Sequence, residues 1–106
     1  MVKITIFIRN NAVYGFSSIG HAGQNVHGKD IVCAAVSALT INCANALESI
    51  AKVSPIVNAS DGCLTVEVKE SHYNHDASIL LEALQLGLTD IASSYPKYIT
   101  IKKVKE

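Results

Sequence analysis

The segment from Ile31 to Ile50 constrains this chain more than any other. Val32, Val36, Leu39, Cys43, Leu47 and Ile50 recur at intervals of three and four residues, the spacing of one face of an α-helix. Alanines at 34, 35, 38, 44 and 46 keep much of the remaining surface small, so a sheet or another helix can come close. Ser37, Thr40, Asn42, Asn45, Glu48 and Ser49 interrupt the apolar run. A membrane span would have to bury all of them, so the segment reads as a core helix. Asp30 is placed as its N-cap. Pro55 cannot continue it, and Ser54 before that proline is biased towards an extended backbone, which predicts an end near Lys52. A helix this apolar has to be mostly covered.

The cover comes from strands and a second helix. Val2, Ile4, Ile6 and Ile8 alternate with Lys3, Thr5 and Arg9, the period of a half-buried strand over 2–9. Asn10-Asn11 suits a two-residue hairpin turn, because asparagine tolerates positive φ. A second strand follows over 12–19, with Tyr14, Phe16 and Ser18 on one face. Residues 20–29 hold three glycines and no apolar period, which predicts a mobile loop. Beyond the long helix, Ile56-Val57-Asn58 and Leu64 to Val68 form a hairpin around Asp61-Gly62. Ala77, Leu80, Leu81, Leu84, Leu88 and Ile91 mark an amphipathic helix over 75–94, which Pro96 ends, and Tyr98 to Val104 alternates as a fifth strand. The order β-β-α-β-β-α-β predicts a two-layer α+β sandwich, mostly hairpin-connected, with two helices on one face of the sheet. Residues 1–106 are expected to form a single domain.

Charge excludes more than it suggests. Nine basic side chains balance nine acidic ones, and charged residues make up only 17% of the chain. No overall field draws in nucleic acid or an anionic membrane, so neither is expected as a partner. The lysines at 97, 102, 103 and 105 fit a strand edge protected against aggregation. The opening residues lack the long apolar stretch of a signal peptide, and three cysteines are an odd number. Free thiols in the cytoplasm are the expectation.

Reactive chemistry concentrates in residues 20–37. With Asp30 as cap, Cys33 would be the third helical residue, in a first turn whose free amides and macrodipole favour an anion. The Asp30 carboxylate opposes this unless it is spent on capping. Ser37 lies one turn further on the same face. His21 precedes Cys33 by twelve residues, and a glycine-bearing loop of that length can return an imidazole to a helix N-terminus. Attack of a cysteine on a carbonyl needs such a base, with oxyanion donors that the amides of Ile31 to Cys33 would supply. Cys43 on the apolar face is expected to be inert, and Cys63 after the Asp61-Gly62 turn to be structural.

Gly20-His21-Ala22, Gly28, and Asp30-Ile31-Val32-Cys33-Ala34-Ala35-Val36-Ser37 closely resemble the signature of the ribosomal-processing cysteine proteases called Prp. The resemblance implies a bacterial, cytoplasmic, homodimeric cysteine endopeptidase that needs no cofactor. It implies removal of the N-terminal extension from the precursor of the large-subunit ribosomal protein numbered twenty-seven, with cleavage beside an aromatic pair. By motif position His21 carries over as base and Cys33 as nucleophile, while Gly20, Asp30 and Ser37 carry over as supporting residues. The loop bearing Gly23 and Gly28 carries over as a gate that orders on substrate.

Two other readings compete. A non-catalytic, ribosome-associated binding module would draw on the basic C-terminal strand, but the neutral net charge and sparse aromatics oppose it. A metal site could use His21, His27 and Cys33, or His72, His75 and Cys63, yet the paired cysteines of zinc motifs are absent, so no metal is expected. His72 and His75 are expected to be solvated.

Overall fold

The computed structural model describes residues 1–20 and 27–106, with residues 27–30 described by their backbone alone. Strands β1 (Val2–Arg9) and β2 (Ala12–Ile19) form the expected hairpin. Asn10 and Asn11 take φ values of 55° and 62°, the pair of left-handed residues whose twist matches the flanking strands. Val2, Ile4 and Ile6 are buried while Lys3 is exposed, as the alternation requires.

Tyr14 departs from its expected face. The register slips between Phe7 and Ile8: Phe7 opposes Gly15 and Ile8 opposes Val13, leaving Tyr14 without a partner. That extra residue is a bulge, which re-aims the side chain. The Tyr14 ring therefore meets Phe7 at 5.9 Å and lies 4.3 Å from the Arg9 guanidinium, on the face away from Phe16. Gly15 is required beside it, because a Cβ there would strike the Val66 carbonyl.

Helix α1 (His27–Ser49) begins three residues earlier than expected and ends three earlier. Gly28 does not stop it, since one glycine costs a helix only about 1 kcal/mol. Its far end closes when Lys52 turns left-handed, at φ 60°. The amides of Ala51 and Val53 then donate back to the Ala46 and Leu47 carbonyls, each at 3.1 Å. Residues 27–29 are thus helical, a correction to the loop placed over 20–29; its remaining residues from 21 lie outside the described ones.

Hairpin β3 (Ile56–Ser60) and β4 (Cys63–Glu67) follows, turning at Gly62 with φ 73°. A single 3₁₀ turn (Glu70–His72) leads into α2 (His75–Ser94). The Asn74 side chain caps α2 by accepting from the Ala77 amide at 2.8 Å. Strand β5 (Ile99–Lys105) completes a sheet of order β3-β4-β2-β1-β5, antiparallel except where β5 runs parallel to β1. The fold is the expected α+β, two-layer arrangement. Val32, Val36 and Leu47 of α1 and Ala77, Leu81, Leu84 and Leu88 of α2 pack with Ile4, Ile6, Phe16, Val66 and Ile99 of the sheet. Each large side chain so buried contributes about 1.5–3 kcal/mol.

One expectation about α1 fails. Ile31 and Ile41 are 38% and 54% exposed, and Ala34 and Ala38 are open as well. Two layers provide cover from below and from the α2 side only, so the outward half of the helix stays uncovered. Ile31–Ser49 is long and apolar enough to cross a membrane, yet its Val32-Val36-Cys43-Leu47 stripe belongs to the core. Close helix contact depends on Gly87 of α2, where a Cβ would lie 2.8 Å from Leu39 Cδ1, rather than on the exposed alanines.

Candidate active site

Cys33 is the seventh residue of α1, nearly two turns in, and Asp30 lies within the helix rather than capping it. The first-turn argument therefore changes. The amides of Ile31, Val32 and Cys33 are taken up by i→i−4 bonds and are not spare oxyanion donors. The macrodipole, felt mainly in the first turn, does not single out this thiol.

Position on the helix circumference matters more. One flank of α1 faces α2: Leu39 sits over Gly87, and the Cys43 thiol donates to the Leu80 carbonyl at 3.9 Å. The opposite flank carries Cys33, Ser37 and Ile41, each four residues from the next. Cys33 packs against the edge of the core and is half-buried, so it is not sealed in hydrocarbon. Ser37 is exposed one turn, about 5.4 Å, further along.

That flank overlooks a groove of about 280 Å³ between α1 and the β2-β4-β3 side of the sheet. Ser37, Thr40 and Ile41 form the helix wall, and Ser18, Leu64 and Ala59 face them from the three strands. Thr40 Oγ1 donates to the Val36 carbonyl at 2.8 Å, so this buried hydroxyl is satisfied within the helix. Gly20 closes one end of the groove. Its φ of 129° suits glycine, and a Cβ there would strike the Met1 carbonyl. Its amide donates to the Gly62 carbonyl at 2.8 Å, pinning the end of β2 to the β3–β4 turn. The structure thus brings Ser37 and Gly20 to one groove, with Cys33 one helical turn before Ser37.

Other predicted residues fall elsewhere. His21 and Gly23 lie outside the described residues, and Gly28 belongs to the backbone of α1 rather than to a gating loop. Cys43 is buried, and burial pushes its thiol up to about 11, which suits an inert side chain. Cys63 begins β4 as expected and is the exception, since it is half-buried and lines the same groove, whereas His72 and His75 are exposed. Among the described residues, no three His, Cys, Asp or Glu side chains gather as metal ligands.

The family model of the cysteine protease Prp matches residues 1–100. The chain belongs to the Prp family. It is therefore a cysteine protease. The ribosomal processing cysteine protease Prp of Bacillus subtilis is 29% identical over 101 residues, covering 90% of each chain. Its Staphylococcus aureus counterpart is 29% identical over 83 residues, covering 77% of this chain and 78% of its own. Among solved structures, SMU.848 from Streptococcus mutans superposes with a TM-score of 0.87 at 33% identity, covering 100% of this chain and 96% of its own. The S. aureus Prp in complex with a covalently linked product peptide also gives 0.87, at 25% identity, covering 98% and 100%.

The groove escaped sequence reasoning. Its helix wall was partly readable, since Ser37 lies four residues beyond Cys33 on the same helical face. Its strand wall was not, because nothing local brings Ala59 and Leu64 opposite Ser37.

Proposed function

We propose that this protein is the endopeptidase that removes the N-terminal extension of the large-subunit ribosomal protein numbered twenty-seven, with Cys33 as nucleophile and His21 as base. The observation that carries this reading is the half-buried Cys33 on α1, one turn before Ser37, which lines a groove between the helix and the sheet. A relative of the same fold with a product peptide covalently linked supports a peptide substrate. His21 takes the proton from the Cys33 thiol, and the sulfur attacks the scissile carbonyl. The tetrahedral intermediate collapses as His21 returns its proton to the leaving amine. Water, deprotonated by His21, then attacks the thioester and releases the acid and the free thiol. Ser37 and Gly20 support the site by shaping the groove, and Asp30 acts from the first turn of α1. The reading includes a cytoplasmic homodimer.

Incubating the protein with its own organism's ribosomal protein precursor, followed by mass spectrometry, tests the assignment. A single cut beside an aromatic pair is expected, lost with Cys33→Ala and severely slowed with His21→Ala. An intact precursor would overturn this substrate assignment while leaving membership of the protease family in place. A rate near parental in His21→Ala would assign the base elsewhere.

A further inference from the structure

The two outer edges of the sheet are built differently. Edge strand β5 carries exposed lysines at 102, 103 and 105, which discourage pairing with another strand. Edge strand β3 reads Ile56-Val57-Asn58-Ala59-Ser60, with no charge, no internal proline and every residue exposed. Among the described residues nothing pairs with its outer side.

The hydrogen-bond phase shows which groups are free there. Gly20 donates to the Gly62 carbonyl and Val68 to the Tyr14 carbonyl, so the even-numbered residues of β4 bond to β2. The odd-numbered residues Cys63, Thr65 and Glu67 therefore bond to β3, where they oppose Ser60, Asn58 and Ile56. Val57 and Ala59 are left with N–H and C=O groups directed outward. Their side chains share the sheet face of Val66 and Leu64, the face on which the groove lies, and Ala59 lines it opposite Ser37 and Ile41.

We infer that the substrate binds as an extended strand added to β3, with its main chain on Val57 and Ala59 and its chain leading past the Asp61-Gly62 end towards Cys33. This deepens the protease reading and rests on it. An extended polypeptide is the occupant that supplies the complementary N–H and C=O groups, whereas the uncharged edge offers nothing for a phosphate or an ionic head group. Strand addition makes the main chain supply affinity and alternate side chains supply selectivity. Substrate residues level with Val57 and Ala59 would turn towards Ile41, and those between them would face solvent.

The test uses the full chain and a peptide spanning the ribosomal-protein junction, with one backbone amide N-methylated at a time. Strand pairing predicts losses in kcat/KM of about tenfold, the scale of one hydrogen bond and its steric fit, at every second position. Ala59→Pro removes an outward N–H that no β4 bond uses, and should cost a similar factor while the alkylation rate of Cys33 stays parental. Methylated peptides all cut within twofold of the parent peptide, or a folded Ala59→Pro chain that cuts normally, would overturn the strand while leaving the protease standing. Should Ala59→Pro fail to fold, the alternation or uniformity of the methylation scan decides. Failure of the parental chain to cut the unmodified peptide would overturn the substrate assignment, and this inference with it.

Discussion

Cys33 and Cys43 stand on one helix, close to three turns apart, and their surroundings are opposite. Cys33 lies on the flank beside the groove and is half-buried. Cys43 lies on the flank towards α2, buried, with its thiol on the Leu80 carbonyl and pushed up to about 11 by loss of water. The same side chain in the same helix is thus placed for chemistry in one position and for packing in the other. What separates them is rotation about the helix axis. Ten residues bring the second cysteine round to the side that α2 covers. Solvent access here is a property of which flank the fold leaves open, rather than of the helix N-terminus.

Several measurements would break or sharpen that contrast. The largest effect belongs to Cys33→Ala, which should lower kcat/KM on the junction peptide by about a thousandfold or more with little change in the thermal midpoint. An equal loss in Cys43→Ala would erase the distinction between the flanks. Ile41→Asp puts a charge on the groove wall and should lower kcat/KM by about tenfold, mainly through KM, since Ile41 is already 54% exposed and the fold tolerates polarity there. A large loss of stability instead would make Ile41 a core residue. Cys43→Ala should leave peptide cleavage intact and cost about 1–2 kcal/mol of stability, read by urea unfolding.

The smallest effect is a matter of pH. The Cys43 thiol is raised in the folded protein from an ordinary value of 9.0 to about 11. The fold therefore holds the proton more tightly than the unfolded chain does. That contribution is complete below about pH 9 and is lost as pH climbs through about 11. The alkaline decline in stability should be shallower in Cys43→Ala than in the parent. Tyr14 and Tyr73, both also raised chiefly by burial, contribute a decline of the same sign in both proteins and cancel in the comparison. Identical slopes would mean that the Cys43 thiol is no less hydrated than in the unfolded chain.

Much of the fold was legible because its signals are local. Alternation over Val2 to Ile8, the Asn10-Asn11 and Asp61-Gly62 turns, and the stripe from Ala77 to Ile91 each specify an element within a few residues of themselves. The misplacements have local causes too. Residues 27–29 show no apolar period and include Gly28, so they read as loop although a glycine costs a helix little, and one extra residue at Tyr14 turned that side chain to the other face. The candidate nucleophile was legible through its motif, but the argument from the first turn was not sound once α1 began at His27. The groove and the bare edge of β3 were invisible, since they depend on contacts between residues on separate elements, far apart along the chain.

The sequence by itself determined the order of elements, the apolar faces that had to meet, and the position of a cysteine near the start of the core helix. Periodicity and turn chemistry act over short stretches, so they survive being read in one dimension. Only the tertiary structure decided which flank of α1 stays open, which edge of the sheet goes unguarded and which of the two cysteines on α1 keeps access to solvent. Those outcomes depend on how two helices share one sheet face, and that is a property of packing between distant residues rather than of any one segment.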